Sequence, residues 1–132
     1  MHRIALFHPP WFSDDDVQKG GAYFQSQGFE IVHASHMTPA RKAPPHPNTG
    51  SDIGPGEISE WVRKHAPANM EGVLIAGNGF RAIGVIAALE EDLGRPVLTG
   101  NQAAFWYALR RAGLGAEVDD YGQVFRKSPN RA

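Results

Sequence analysis

The run Val73-Leu74-Ile75-Ala76-Gly77-Asn78-Gly79-Phe80-Arg81 constrains this chain more than any other segment. Four apolar residues read as a short buried strand, and two glycines flank one asparagine where that strand must end. A helical pattern then starts at once, with Ile83, Ile86, Leu89 and Leu93 on one side. A strand that passes into a helix through glycines aims several bare backbone N–H groups at one point. Such a point, at a helix N-terminus, attracts an anion. No residue from Val73 to Phe80 is a nucleophile, so the segment predicts a place for a ligand without chemistry of its own.

The rest of the chain repeats the same alternation. Arg3 to His8 reads as a first buried strand bounded by Pro9-Pro10. Ser13 or Asp14 caps a helix that carries Val17, Gly21 and Phe24 on one face and ends at Gly28. Asp14, Asp15 and Asp16 at its start suit the helix dipole, which makes a solvated helix start a simpler reading than a metal site. Phe29 to Ala34 is the second strand. A long stretch from about Ser35 to Gly54 contains Pro39, Pro44, Pro45 and Pro47, and a loop of that length in a compact domain is usually functional or disordered. Pro55 opens a second helix through Ile58, Trp61 and Val62, ending near His65.

Gly72 to Ala76 is the third strand, and its helix runs to Leu93 with Gly94 as the closing residue. Pro96 to Thr99 is a short fourth strand. Asn101 is placed to cap a last helix in which Phe105, Ala108, Leu109 and Ala112 share a face. Val118 to Phe125 is a candidate edge strand weakened by Asp119-Asp120, and residues 128–132 read as a tail after one domain over 1–127. The order β-α-β-α-β-α-β-α predicts an α/β fold: a single three-layer domain with a four-stranded parallel sheet. Ligands of such sheets bind beyond the carboxyl ends of the strands. Here those ends are His8 to Ser13, His33 onward, Gly77 to Phe80, and Thr99 to Gln102.

Bulk properties narrow the function. The 132 residues carry 13 basic and 14 acidic side chains, a net charge of −1, with the basic residues scattered. That balance argues against a general nucleic-acid binder. No apolar run approaches the ~20 residues needed to span a bilayer, and Met1-His2-Arg3 lacks signal-peptide anatomy. There are no cysteines, which excludes disulfides, thiolate metal sites and a cysteine nucleophile, and fits a cytoplasmic setting.

Three segments together resemble a known family: Gly77-Asn78-Gly79-Phe80-Arg81, then Leu93-Gly94-Arg95-Pro96-Val97-Leu98-Thr99-Gly100-Asn101-Gln102-Ala103, then Trp106-Tyr107-Ala108-Leu109-Arg110. They are similar to the aspartate/glutamate racemase superfamily, in its maleate cis-trans isomerase and arylmalonate decarboxylase branch. The similarity runs from about Arg3 to Phe125 and corresponds to the second half of such enzymes. The resemblance implies one flavodoxin-like half of a two-half racemase fold, with the site between the halves. It also implies that the family's second-half cysteine falls at Gly77. The active-site tyrosine falls near Pro10, beside Trp11, and a loop asparagine falls at Asn48.

That family uses thiolates as bases or nucleophiles, and glycine offers neither. What the resemblance leaves is a holder for a carboxylate. Gly77, Asn78, Gly79 and Phe80 supply amides or line the turn, Trp11 lines a pocket, and Asn48, Thr99 and Asn101 supply side-chain hydrogen bonds. Three functional readings follow. The first is a degenerate domain that binds a small dicarboxylate or other anion and forms a homodimer to replace the missing half. The second is an active isomerase, racemase or decarboxylase that uses His8 as general base, or a partner chain; a hydrogen-bonded structural role for His8 stands beside it. The third is an assembly subunit without a small ligand, paired with a separate first-half chain.

No cofactor or metal is expected. Gly77-Asn78-Gly79-Phe80-Arg81-Ala82 fits the dinucleotide pattern G-x-G-x-x-A. It lies on the third strand, however, and the next strand ends in Thr99-Gly100-Asn101 instead of an acid. His33 and His36 straddle a strand end with no acid cluster to complete a metal site.

Overall fold

The computed structural model describes residues 1–38, 53–77, 79–115 and 118–126. Four strands, β1 (Arg3–His8), β2 (Glu30–His36), β3 (Gly72–Ile75) and β4 (Val97–Thr99), form one parallel sheet in the order β2-β1-β3-β4. Four α-helices alternate with them: α1 (Asp14–Ser26), α2 (Pro55–His65), α3 (Ile86–Leu93) and α4 (Gly100–Arg111). This is the α/β sheet expected from the alternation of elements.

Alternation along β1 assigns the two faces. Ala5 and Phe7 join Ile58 and Val62 of α2, Val73 and Ile75 of β3, Ile86 and Leu89 of α3 and Val97 of β4 in one core. Ile4, Leu6 and His8 point the other way, where α1 lies: His8 Nε2 is 3.3 Å from the place a Cβ on Gly20 would take. Helices therefore cover both faces. Between Ile4 and Ala5 the β1–β2 register slips, so that Ile4 faces Ile31 while Ala5 faces His33. Among the described residues no helix is long and apolar enough to cross a membrane.

Helix starts follow their local chemistry. Ser13 caps α1 in a reciprocal capping box with Asp16 (Asp16 N–H to Ser13 Oγ, 3.1 Å; Ser13 N–H to Asp16 Oδ2, 3.0 Å). Pro55 occupies the first turn of α2. The cap of α4 is Thr99, not Asn101: Gln102 N–H donates to Thr99 Oγ1, and the Gln102 side-chain oxygen accepts from Thr99 N–H, both at 3.1 Å. Thr99 already has extended backbone at the end of β4, so the helix begins one residue after the strand and Asn101 falls inside it.

Four other expectations are corrected. No helix starts at the glycines after β3; a 3-10 turn covers Ile83–Val85 and α3 begins at Ile86. Phe80 and Ala82 are both buried at a spacing of two, the period of extended chain and not of a helix, and Ile83 is left exposed. β2 runs on to His36 because β1 offers pairing partners as far as His8, so Ser35 and His36 belong to a strand and not to the loop. Residues 118–126 form no strand. Asp120 and Gly122 both have positive φ, Gln123–Arg126 make a 3-10 turn, and the Glu90 carboxylate accepts from Gln123 N–H at 3.0 Å. Finally, the inward side of α4 is that of the fully buried Gln102; Phe105, Ala108 and Ala112 are exposed. The tail at 128–132 lies outside the described residues.

Gln102 joins three elements, because its amide also donates to the Tyr121 carbonyl. Gln102→Leu is expected to leave the Thr99 and Tyr121 backbone groups without that partner and to cost about 1–3 kcal/mol. Urea unfolding monitored by circular dichroism measures it, and an unchanged midpoint would contradict the assignment.

Candidate functional site

The strand order reverses direction between β1 and β3, so the crevice between their carboxyl ends is where a ligand of such a sheet sits. β1 leads into a turn closed by Phe12 N–H donating to the Pro9 carbonyl at 3.2 Å. β3 leads through Ala76, whose N–H donates to the Phe7 carbonyl at 2.8 Å, into Gly77. The two connections meet. Gly77 has φ +96°, and a Cβ placed on it would lie well inside contact distance of Pro9 Cγ, 3.0 Å from Pro9 Cδ and 3.5 Å from Trp11 Cζ2. Both facts demand glycine there: the backbone is left-handed, and a rigid proline ring fills the side-chain space.

Trp11 roofs this corner. A Cβ on Gly79 would be in ordinary contact with its ring at 3.7 Å. Its indole meets Phe80 edge-on with centroids 5.8 Å apart, and Phe80 meets Trp61 at 6.5 Å. Trp11 is 38% exposed whereas Phe80 is 6% exposed, so the aromatic series runs from the surface into the core. The structure thus brings Trp11, Gly77, Gly79 and Phe80 together. Thr99 is one strand further on, paired in register with Ile75, and is buried with its hydroxyl accepting the α4 cap bond. Asn101 is exposed in the first turn of α4. Asn48 and Asn78 lie outside the described residues.

His8 is not aimed at this corner. Its Nδ1 donates to the Ser35 carbonyl at 3.1 Å, its Nε2 edge faces Gly20 of α1, and its ring packs 5.3 Å from Phe12. Burial lowers its pKa from 6.5, against a partial rise from the Ser35 hydrogen bond. His36, expected in a loop, is in β2 with Nε2 2.8 Å from Asp14 Oδ1. His33 packs on Phe7 at 4.9 Å with Nε2 2.8 Å from Ser35 Oγ. Among the described residues no group of three or more His, Asp or Glu side chains gathers in a way that could hold a metal. Sequence reasoning missed an open groove of about 430 Å³ between α1 and β2, lined in part by Val17, Gly21, Ile31 and Val32. Its only sequence signal was Gly21 and Ala22, which keep the α1 face low.

Two outcomes test this geometry. Gly77→Cys is expected to destabilise by more than about 1 kcal/mol, and Pro9→Ala in the same chain should recover the steric part; a double-mutant cycle in urea measures the coupling, and strict additivity would refute the contact. A histidine whose folded pKa lies below 6.5 resists protonation, so its contribution to stability is present above that value and is lost as pH falls through it. His8→Asn is therefore expected to flatten the fall in stability between about pH 7.5 and pH 5.5, read from thermal melts across that range. His33, lowered by burial and by His65, leaves a residual slope of the same sign.

Comparison with known proteins accords with this architecture. Residues 13–125 match the family model for arylmalonate decarboxylase. An arylmalonate decarboxylase of Bordetella bronchiseptica is 36% identical over 64 residues, covering 48% of this chain and 27% of that protein. Unliganded arylmalonate decarboxylase superposes with a TM-score of 0.82 at 22% identity, covering 96% of this chain and 54% of that one. A maleate cis-trans isomerase of Nocardia farcinica, solved with a covalently bound succinylcysteine intermediate, gives 0.81 at 22% identity over 96% of this chain and 49% of that one. The chain thus spans about half the length of the solved structures it matches. With 113 consecutive positions on the family model and the same parallel sheet, the chain belongs to the arylmalonate decarboxylase family.

Proposed function

We propose that this chain is a carboxylate-binding domain of the arylmalonate decarboxylase family without a thiol of its own, and that a second copy completes its site. The observation that carries the reading is the filled side-chain space at Gly77. The maleate isomerase it resembles forms a succinyl adduct on cysteine. Here the sequence has no cysteine, and the position that the resemblance assigns to it is closed by the Pro9 ring. What the corner offers is backbone and an aromatic wall: the glycine turn, Trp11, and the start of α4 one strand away. Among the four described α-helices, α4 is the one that opens directly from a strand end, with Thr99 as its cap, so its start replaces that of α3 as the candidate anion-attracting helix end.

The relatives are about twice as long, and an isologous pair of identical halves would supply the same two-sided crevice. The His8 version of an active enzyme gains nothing from the geometry, since that ring is engaged with Ser35 and α1. Activity through a partner chain remains the alternative to test.

Calorimetric titration with malonate, maleate and aspartate is expected to give saturable millimolar binding that Trp11→Ala weakens, together with a dimer in analytical ultracentrifugation. Absence of heat for all three ligands at millimolar concentration would remove the binding claim, and a monomer at every concentration would remove the second copy. Turnover of any of the three, measured by proton NMR, would replace the degenerate reading with an active one.

A further inference from the structure

We propose that His33 of β2 and His65 at the end of α2 form a two-imidazole site for one divalent transition-metal ion such as Zn²⁺, a site distinct from the carboxylate corner. The two rings come from separate elements, and their centroids are 6.3 Å apart with planes inclined by 36°. Two imidazoles on one ion, each with a metal–nitrogen bond of about 2.0–2.1 Å, place their centroids about 5–6 Å apart. The observed centroid spacing lies just beyond that range, and the two side chains are respectively half-buried and exposed.

Each ring also has its second-shell anchor. His65 Nδ1 donates to the Trp61 carbonyl at 2.9 Å, an acceptor that leaves Nε2 as the nitrogen with the lone pair. His33 Nε2 is 2.8 Å from Ser35 Oγ, and donation to that oxygen leaves Nδ1 for the ion. Metal-binding histidines are commonly held in this way, one nitrogen fixed by an oxygen and the other on the metal.

The surroundings are consistent with a cation held by neutral ligands. Phe7 packs on His33, and Trp61 lies 6.2 Å from His65. The carboxyl end of α2 presents the negative end of its dipole. Of the two cationic residues just before His65, Arg63 is turned to Asp92 at 3.1 Å and to Ser59 at 2.7 Å, and Lys64 is exposed. The ion would clip the end of α2 to the edge strand of the sheet, with water completing its coordination.

Untagged protein titrated with Zn²⁺ by calorimetry is expected to bind one ion per chain, and His33→Gln and His65→Gln are each expected to weaken binding by about tenfold or more. His36→Gln serves as the control and should bind as the unmodified chain does. In unmodified protein, long-range nitrogen NMR should show the His33 and His65 ring signals moving together as Zn²⁺ is added, which tests the site without any variant. No heat at millimolar Zn²⁺, retained affinity in either glutamine variant, or ring shifts confined to other histidines would each overturn the proposal.

Discussion

Strand β1 is bonded along both of its edges, to β2 on one side and β3 on the other, and is covered on both faces. Residues from Ile4 to Pro9 are all buried as a result. A parallel strand with two neighbours can place its exit at only one point of the sheet edge. Pro9 and Trp11 are delivered there, directly against the exit of β3. The candidate site is thus a consequence of where the central strand stops. Its shape is set by backbone and by two rigid rings, Pro9 and Trp11.

The polar groups elsewhere act as ties between elements. Glu90 of α3 accepts from Val97 N–H at 3.0 Å and from Gln123 N–H, so one carboxylate holds the start of β4 and the last 3-10 turn. Glu71 accepts from the His2 and Arg3 N–H groups, which holds its carboxyl below the usual range, and the Ser13 backbone does the same for Asp16. These carboxylates resist protonation, so whatever they contribute is lost only as pH falls through their lowered values. The buried histidines act earlier in the same descent.

Much of the fold was legible because it rests on period and caps. The apolar runs at Ile4, Val73 and Val97, the proline that opens α2 and the glycine that closes α3 are local signals. The misses have a common cause: tertiary burial overrode local pattern. Ile83 fits a helical stripe in the sequence, yet packing Phe80 and Ala82 inward displaced the helix start to Ile86. Gln102 carries a polar side chain, yet it is fully buried because it satisfies the end of β4 and the Tyr121 carbonyl together. At the site, the family resemblance implied that glycine stands where relatives carry a cysteine. It did not show that Pro9, 68 positions earlier, fills the space.

That ring has a bearing on the history of the chain. A codon change that put sulfur at position 77 would meet the pyrrolidine before it met any substrate, and removing the pyrrolidine first would open a gap with nothing to fill it. Neither step is useful without the other. A single substitution could not place a thiol at this corner without displacing its neighbour, and the corner behaves as a ratchet that keeps the backbone and the indole as its walls.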